Sequence, residues 1–320
     1  MKQFPIVTLH ERINEILGKI ISIDILQNIK DGVDSQVNII DDEGKLTDIA
    51  SIAPYHFVND PTPRWCVRIS AAFAQGLWLM CEAVLWTHDY SIVKSGFSQF
   101  SDQQLSMLHA FSLSYRNSEL SYVISLLSDE KVDVARNFEL INTIFSRKVT
   151  EEEMEELYTH NKDSQFGTYV NAMYVYAMSF ILLHELSHHD LGQDFTVNTL
   201  DDEINADESA FWALYSDLTE KEHTTAMHGV VCALSSFLFI DDPLGEDPTH
   251  PKPFERIFRY YHIALKENYK EKNFLRTILF YWACYMLDKK LIEMVCDINK
   301  SMEDIEQYLC NLEKTQVEQA

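Results

Sequence analysis

The chain has 320 residues, of which 46% are hydrophobic and 24% charged, a composition typical of globular proteins and unlike that of disordered or fibrous chains. Its 50 acidic and 26 basic residues give a formal net charge of −24, which disfavours binding to nucleic acid or to anionic membrane surfaces. The six cysteines are scattered without C-x-x-C spacing and the N-terminus lacks an apolar secretion signal, so we expect reduced thiols and a cytoplasmic protein.

The first 149 residues predict a mixed α+β lobe. Apolar residues recur at helical spacing near the N-terminus and again from about residue 102, and three short segments between them have the composition of strands. We expect a helix at about 8–19, strands at 21–26 (ISIDIL), 36–41 (QVNIID) and 65–70 (WCVRIS), and an apolar helix at about 71–88. The fold class that follows is mostly α with a small N-terminal β-sheet.

Residues 150–320 predict a helical lobe that forms one compact unit with the first. The helix at 167–190 is apolar almost all round, which predicts a buried central position, and Gly192 is a suitable stop. The apolar stretches of the chain are too short, or too interrupted by polar residues, for a membrane span. Further helices are expected from about 200 and near 220–239, 252–266, 271–288 and 300–313.

The central helix ends in the stretch ILLHELSHHD, which contains the spelling H-E-x-x-H. His184 and His188 are one helical turn apart, so both imidazoles project from the same face and can bind one divalent ion. Glu185 follows the first histidine on the same side, where it could take a proton from water. Burying two histidines and a glutamate at the end of an apolar helix is costly unless something satisfies them.

A third metal ligand is expected in EINAD, residues 203–207. Glu203 would complete a His/His/Glu set, and Asp207, one turn later, would contact the second nitrogen of an imidazole. A solvated acidic start of a helix explains the same residues without any metal. His223 and His228 are the alternative ligands if Glu203 does not serve.

The stretch THPKPFERI, residues 249–257, supplies two more candidates. His250 could donate a hydrogen bond to a developing oxyanion, and Arg256 could place a cation near the ligand carboxylate. Spacing alone supports an ordinary surface or helix-cap role for both residues equally well.

LHELSHHDLG, EINADESAFWAL and THPKPFERI together resemble, in order and spacing, the Lit-type phage-exclusion peptidases, a bacterial family of the wider gluzincin group. The aromatic-rich segment RISAAFAQGLWLMCEAVLW is similar to that family's helix before the catalytic part. The resemblance implies a gluzincin-like core with the motif on a buried central helix. It implies Zn²⁺ bound by His184, His188 and Glu203, with Glu185 as general base. Asp207 would orient a ligand histidine, and His250 and Arg256 would lie near the reacting carbonyl.

The function expected from the motif and the resemblance is that of a zinc-dependent endopeptidase acting on an intracellular protein. The resemblance further implies a role in phage exclusion, with elongation factor Tu as a possible substrate and a phage peptide as a possible activator. Two alternatives remain open. One is a regulatory metal-binding protein that hydrolyses nothing, and the other is a helical interaction protein in which the motif arose by chance.

Overall fold

The computed structural model of the chain describes residues 9–20, 50–55, 64–69, 71–96, 165–190, 199–216, 218–239, 250–265, 269–285, 288–297 and 299–317. The strands expected at 21–26 and 36–41 lie outside these ranges. So do the helical segments expected between residues 102 and 164.

The described residues form nine α-helices and two strands. A 3₁₀ turn, Phe237–Phe239, extends the fifth helix, and a π-helical turn, Tyr261–Leu265, extends the sixth. The helices are α1 (His10–Ile20), α2 (Ala71–Gly96), α3 (Gln165–Asp190), α4 (Leu200–Ser216), α5 (Glu220–Ser236), α6 (Pro253–Tyr260), α7 (Tyr269–Tyr285), α8 (Lys289–Cys296) and α9 (Met302–Val317).

Helix α3 lies at the centre of the core, as its apolar sequence predicts. It packs against α1, α2, α4 and α5, and its residues 173–184 are all buried. Two buried polar side chains on it form hydrogen bonds, one within the helix and one to a neighbouring helix. Ser179 donates to the carbonyl of Val175 at 2.8 Å, and the indole Nε1 of Trp78 donates to Oδ1 of Asn171 at 2.9 Å.

Helices α3 and α5 lie very close together at Gly229. A Cβ atom on this residue would lie 2.5 Å from the carbonyl oxygen of Met173 and 2.9 Å from Cβ of Tyr176. Only glycine fits at this distance, because both neighbours belong to the buried body of α3. The contact fixes the position of the helix that carries the H-E-x-x-H motif.

The predicted fold class, mostly α with a small N-terminal β-sheet, is wrong. The described residues are predominantly helical, and the strands Ala50–Tyr55 (β1) and Arg64–Ile69 (β2) form only a two-stranded antiparallel ribbon, with Ala50 paired to Ile69 and Tyr55 to Arg64. A ribbon of two strands is too small to cover one face of a core as a sheet layer. The central helix contacts this ribbon but packs mainly against the helices α1, α2, α4 and α5.

The helices of the C-terminal part lie close to their predicted positions, with one addition. The short helix α8 was not expected; its N-cap Asp288 accepts a hydrogen bond from the backbone N–H of Leu291 at 3.0 Å. Helix α2 packs against α3, α5 and α7.

The division into lobes at residues 149 and 150 stays a prediction. None of the helices in the described part of the chain is long and apolar enough to cross a membrane.

Candidate metal centre

The last turns of α3 bring two imidazoles together. His184 and His188 are both buried, and their rings meet edge to face with centroids 4.7 Å apart. Their Nε2 atoms are separated by 3.2 Å. This proximity follows from the four-residue spacing, because residues one turn apart project from the same face of a helix.

The start of α4 is fixed by a reciprocal cap that places Glu203 in the first turn. The backbone N–H of Thr199 donates to Oδ2 of Asp202 at 3.0 Å, and that of Asp202 donates to the Thr199 hydroxyl at 3.3 Å. Asp202 therefore takes part in capping the helix. Glu203, the next residue, is buried and faces α3.

The Glu203 carboxylate lies against both imidazoles. Its Oε2 is 3.3 Å from Nε2 of His184, and its Oε1 is 3.4 Å from Nε2 of His188. An ion bound tetrahedrally at about 2.0–2.1 Å holds its donor atoms roughly 3.3–3.4 Å apart, so these separations suit a zinc-sized ion. Among the described residues these three form a buried group that could hold a metal ion.

Behind the donor group, Asp207 connects His184 to Arg256. Nδ1 of His184 lies 2.9 Å from Oδ1 of Asp207. Arg256, on α6, donates from Nε to Oδ2 at 2.7 Å and from Nη2 to Oδ1 at 2.6 Å. The guanidinium carbon of Arg256 is 4.6 Å from the ring centroid of Phe237. A bidentate, buried pair of this kind holds the carboxylate in one orientation.

These contacts shift the pKa values of the buried groups. Burial lowers the pKa of His184, but hydrogen bonds that His184 donates to the carboxylates of Asp207 and Glu203 outweigh it and raise that pKa to about 9. Burial raises the pKa of Asp207, but the charge of Arg256 and the His184 hydrogen bond hold it well below its usual range. The pKa of Glu203 is also lowered, because its interactions with His184 outweigh the effect of burial.

Glu185 is partly buried beside the donor group. Burial raises the pKa of its carboxyl, and the neighbouring imidazoles of His184 and His188 oppose this shift. A carboxyl group with a raised pKa next to a candidate metal site has the property expected of a general base and acid.

His250 lies at the edge of the centre, just before α6. Its Nε2 is 3.5 Å from Oε1 of Glu203, and 47% of its side chain is exposed. It is not part of the group of donor atoms that lie within 4.8 Å of one another. His250 therefore lies beside the three donors, on a side of the site that solvent can reach.

The two alternative histidine ligands have other contacts. The ring of His228 stacks on Phe274 with centroids 3.9 Å apart, and the Tyr169 hydroxyl is 3.5 Å from its Nδ1. The ring of His223 stacks on Tyr215 at 4.7 Å. The structure thus brings together His184, His188 and Glu203, and places Asp207, Arg256 and His250 around them. Phe237 was not expected at the site, and no local pattern in the sequence distinguishes it from an ordinary core residue.

The described part of the chain is therefore mainly helical, and its central helix carries two of the three donors of a candidate metal centre of the H-E-x-x-H kind. The model of the Peptidase U49 family matches residues 67–276, a range that includes every residue of the centre described above. The chain belongs to this family and is a peptidase. Neither the curated proteins nor the solved structures contain a match to it.

Proposed function

We propose that the protein is a zinc-dependent endopeptidase that cleaves an intracellular protein. The observation that carries the proposal is the convergence of two imidazole nitrogens and one carboxylate, with separations of 3.2–3.4 Å, in a chain of a peptidase family. Two histidines and one glutamate are a donor set used by catalytic zinc sites, whereas structural zinc sites usually take four protein ligands. Among the described residues the group has three members.

When bound, a zinc ion supplies a Lewis acid that brings the pKa of coordinated water toward about 7 and polarises a carbonyl group. His184, His188 and Glu203 would hold the ion. Asp207 would keep the Nδ1 proton of His184 in place, so that Nε2 carries the lone pair the metal needs. Arg256 would keep Asp207 ionised and oriented.

Glu185 would move the proton in the reaction. It lies next to the donor group, and its raised pKa makes it able both to accept a proton from water and to return that proton to the leaving amine. The apolar residues that precede Glu185 on α3 are buried, which limits access of solvent from the core side. These features support Glu185 as the general base.

His250 would donate a hydrogen bond to the oxyanion that develops as the peptide carbonyl is attacked. Its exposure and its place 3.5 Å from Glu203 support this role, since a substrate must approach from the solvent side. Removing one donor of this kind from other enzymes costs about 2.7–4 kcal/mol of transition-state stabilisation.

The resemblance to the Lit-type peptidases extends the proposal to phage exclusion. Elongation factor Tu is the candidate substrate, and a phage peptide is the candidate trigger of a latent activity. The motifs LHELSHHDLG, EINADESAFWAL and THPKPFERI support this extension. Latency is consistent with a peptidase of an essential host protein, because unregulated cleavage would be toxic.

The proposal is tested by profiling new protein N-termini in bacterial cells that express the wild type or Glu185→Gln, with and without phage challenge. Glu208→Gln, on the exposed side of α4, serves as the matched control. We expect N-termini that appear with the wild type and with Glu208→Gln and are absent with Glu185→Gln. Cleavage that persists in Glu185→Gln would remove the general-base assignment. A wild type that binds zinc but cleaves nothing under either condition would favour the non-hydrolytic regulatory alternative.

A further inference from the structure

We propose that Phe237 is a positioning residue of the metal centre, which acts through Arg256 and Asp207 on the ligand His184. The inference rests on the proposed zinc site and assigns a role to a residue outside its donor set. Phe237 opens the 3₁₀ turn Phe237–Phe239 at the end of α5, in a different part of the chain from the three donors.

Among the described residues, the Asp207 carboxylate contacts both Arg256 and His184 and so links them. Its Oδ1 is shared by Nδ1 of His184 and Nη2 of Arg256, at 2.9 and 2.6 Å. A rotation of the guanidinium would therefore move the same oxygen that sets the direction of the imidazole. The orientation of Arg256 thus bears directly on the orientation of the metal ligand.

Phe237 controls that orientation from the other side. Its ring lies 4.6 Å from the guanidinium carbon, within the range of a cation–π contact, and Arg256 is buried. Two hydrogen bonds to the Asp207 carboxylate hold one edge of the planar guanidinium, and the ring of Phe237 lies against its central carbon. An aliphatic side chain of similar size would fill the space but would offer no negatively polarised face to the cation.

The experiment measures zinc affinity of the purified full-length chain by competition with a chromophoric chelator. Phe237→Leu should weaken binding by about three- to tenfold, less than the roughly 10- to 100-fold expected when a carboxylate that orients a ligand histidine is lost. Phe237→Tyr, which keeps the ring, should bind zinc as the wild type does. Phe274→Leu is the matched control, since Phe274 is a fully buried phenylalanine on α7 that stacks on His228. Its zinc affinity should not change.

A double-mutant cycle with Arg256→Met separates positioning from general destabilisation. If Phe237 acts through Arg256, Phe237→Leu should cause no further loss of zinc affinity in the Arg256→Met background. An equal loss in both backgrounds, or an equal loss in Phe274→Leu, would overturn the inference. If Phe237→Leu does not fold, Phe237→Met provides a second non-aromatic variant for the same comparison. A wild type that binds no zinc would instead refute the metal centre itself, so the two failures are distinguishable.

Discussion

The pair between Asp207 and Arg256 predicts a large and specific cost for Asp207→Asn. The two side chains are only 12% and 6% exposed, and Arg256 donates two short hydrogen bonds to Asp207. Removing the charge of one partner leaves the guanidinium buried without its counterion. Breaking a buried pair in this way typically costs about 3–5 kcal/mol of folding free energy. We expect a value near the lower end, because asparagine can still accept one hydrogen bond from Arg256.

The next residue of α4 provides the control. Glu208 contacts Arg259 at 3.4 Å, and these side chains are 42% and 45% exposed. Loss of such an exposed pair costs about 0–1 kcal/mol, so Glu208→Gln should be nearly neutral. Both variants replace a carboxylate with an amide, at adjacent positions of α4. They differ in that Arg256, the partner of Asp207, is buried, whereas Arg259, the partner of Glu208, is exposed.

The assay is urea unfolding followed by far-ultraviolet circular dichroism, with a chelator present so that metal binding does not contribute. If Asp207→Asn loses no more stability than Glu208→Gln, the reasoning about burial is refuted. Replacing both members, as Asp207→Leu with Arg256→Met, should recover part of the stability, because no unpaired charge remains. Zinc affinity should stay low in this double variant, since His184 would lack the carboxylate that orients it.

Three further outcomes follow from the structure. Gly229→Ala should lower the free energy of unfolding by about 1–3 kcal/mol, measured by the same urea assay, because its Cβ would overlap α3; a neutral effect would contradict the close helix contact. Zinc affinity should rise about tenfold per pH unit between roughly pH 6.5 and 8.5. His184 has a pKa of about 9 in the metal-free protein and must lose a proton to bind the ion. A zinc affinity that does not depend on pH, after correction for the chelator, would contradict this. His250→Ala should reduce the turnover of a cleaved substrate roughly 100-fold or more while zinc content stays unchanged, and loss of zinc would show that His250 is a ligand.

The parts of the protein that depend on local spacing could be predicted from the sequence. The buried helix was expected at 167–190 and is found at Gln165–Asp190, because a continuous apolar run followed by a glycine is a local signal. The four-residue spacing of His184 and His188 is also a local signal, and it predicted that both imidazoles project from one face of that helix. A helix as short as α8 has too few turns to show a periodic apolar pattern, although Asp288 at its start is a residue type typical of N-caps.

Features that depend on distant parts of the chain could not be predicted in the same way. The bond between Asp207 and Arg256 joins residues 49 positions apart, and the contact of Phe237 with Arg256 depends on how α5 and α6 pack. The strand expected at 65–70 is found at Arg64–Ile69, but its partner Ala50–Tyr55 was not expected, because strand pairing is non-local and follows poorly from composition. The ion pair, the aromatic contact and the strand pairing all depend on how distant segments of the chain pack together.

The central claim is that His184, His188 and Glu203 together bind one zinc ion. The most direct test is the zinc content of the purified protein, measured by elemental analysis after equilibration with zinc and removal of the excess. We expect one zinc ion per wild-type chain and in Glu208→Gln, and nearly none in Glu203→Ala. A wild type without zinc, or full occupancy in Glu203→Ala, would contradict the account.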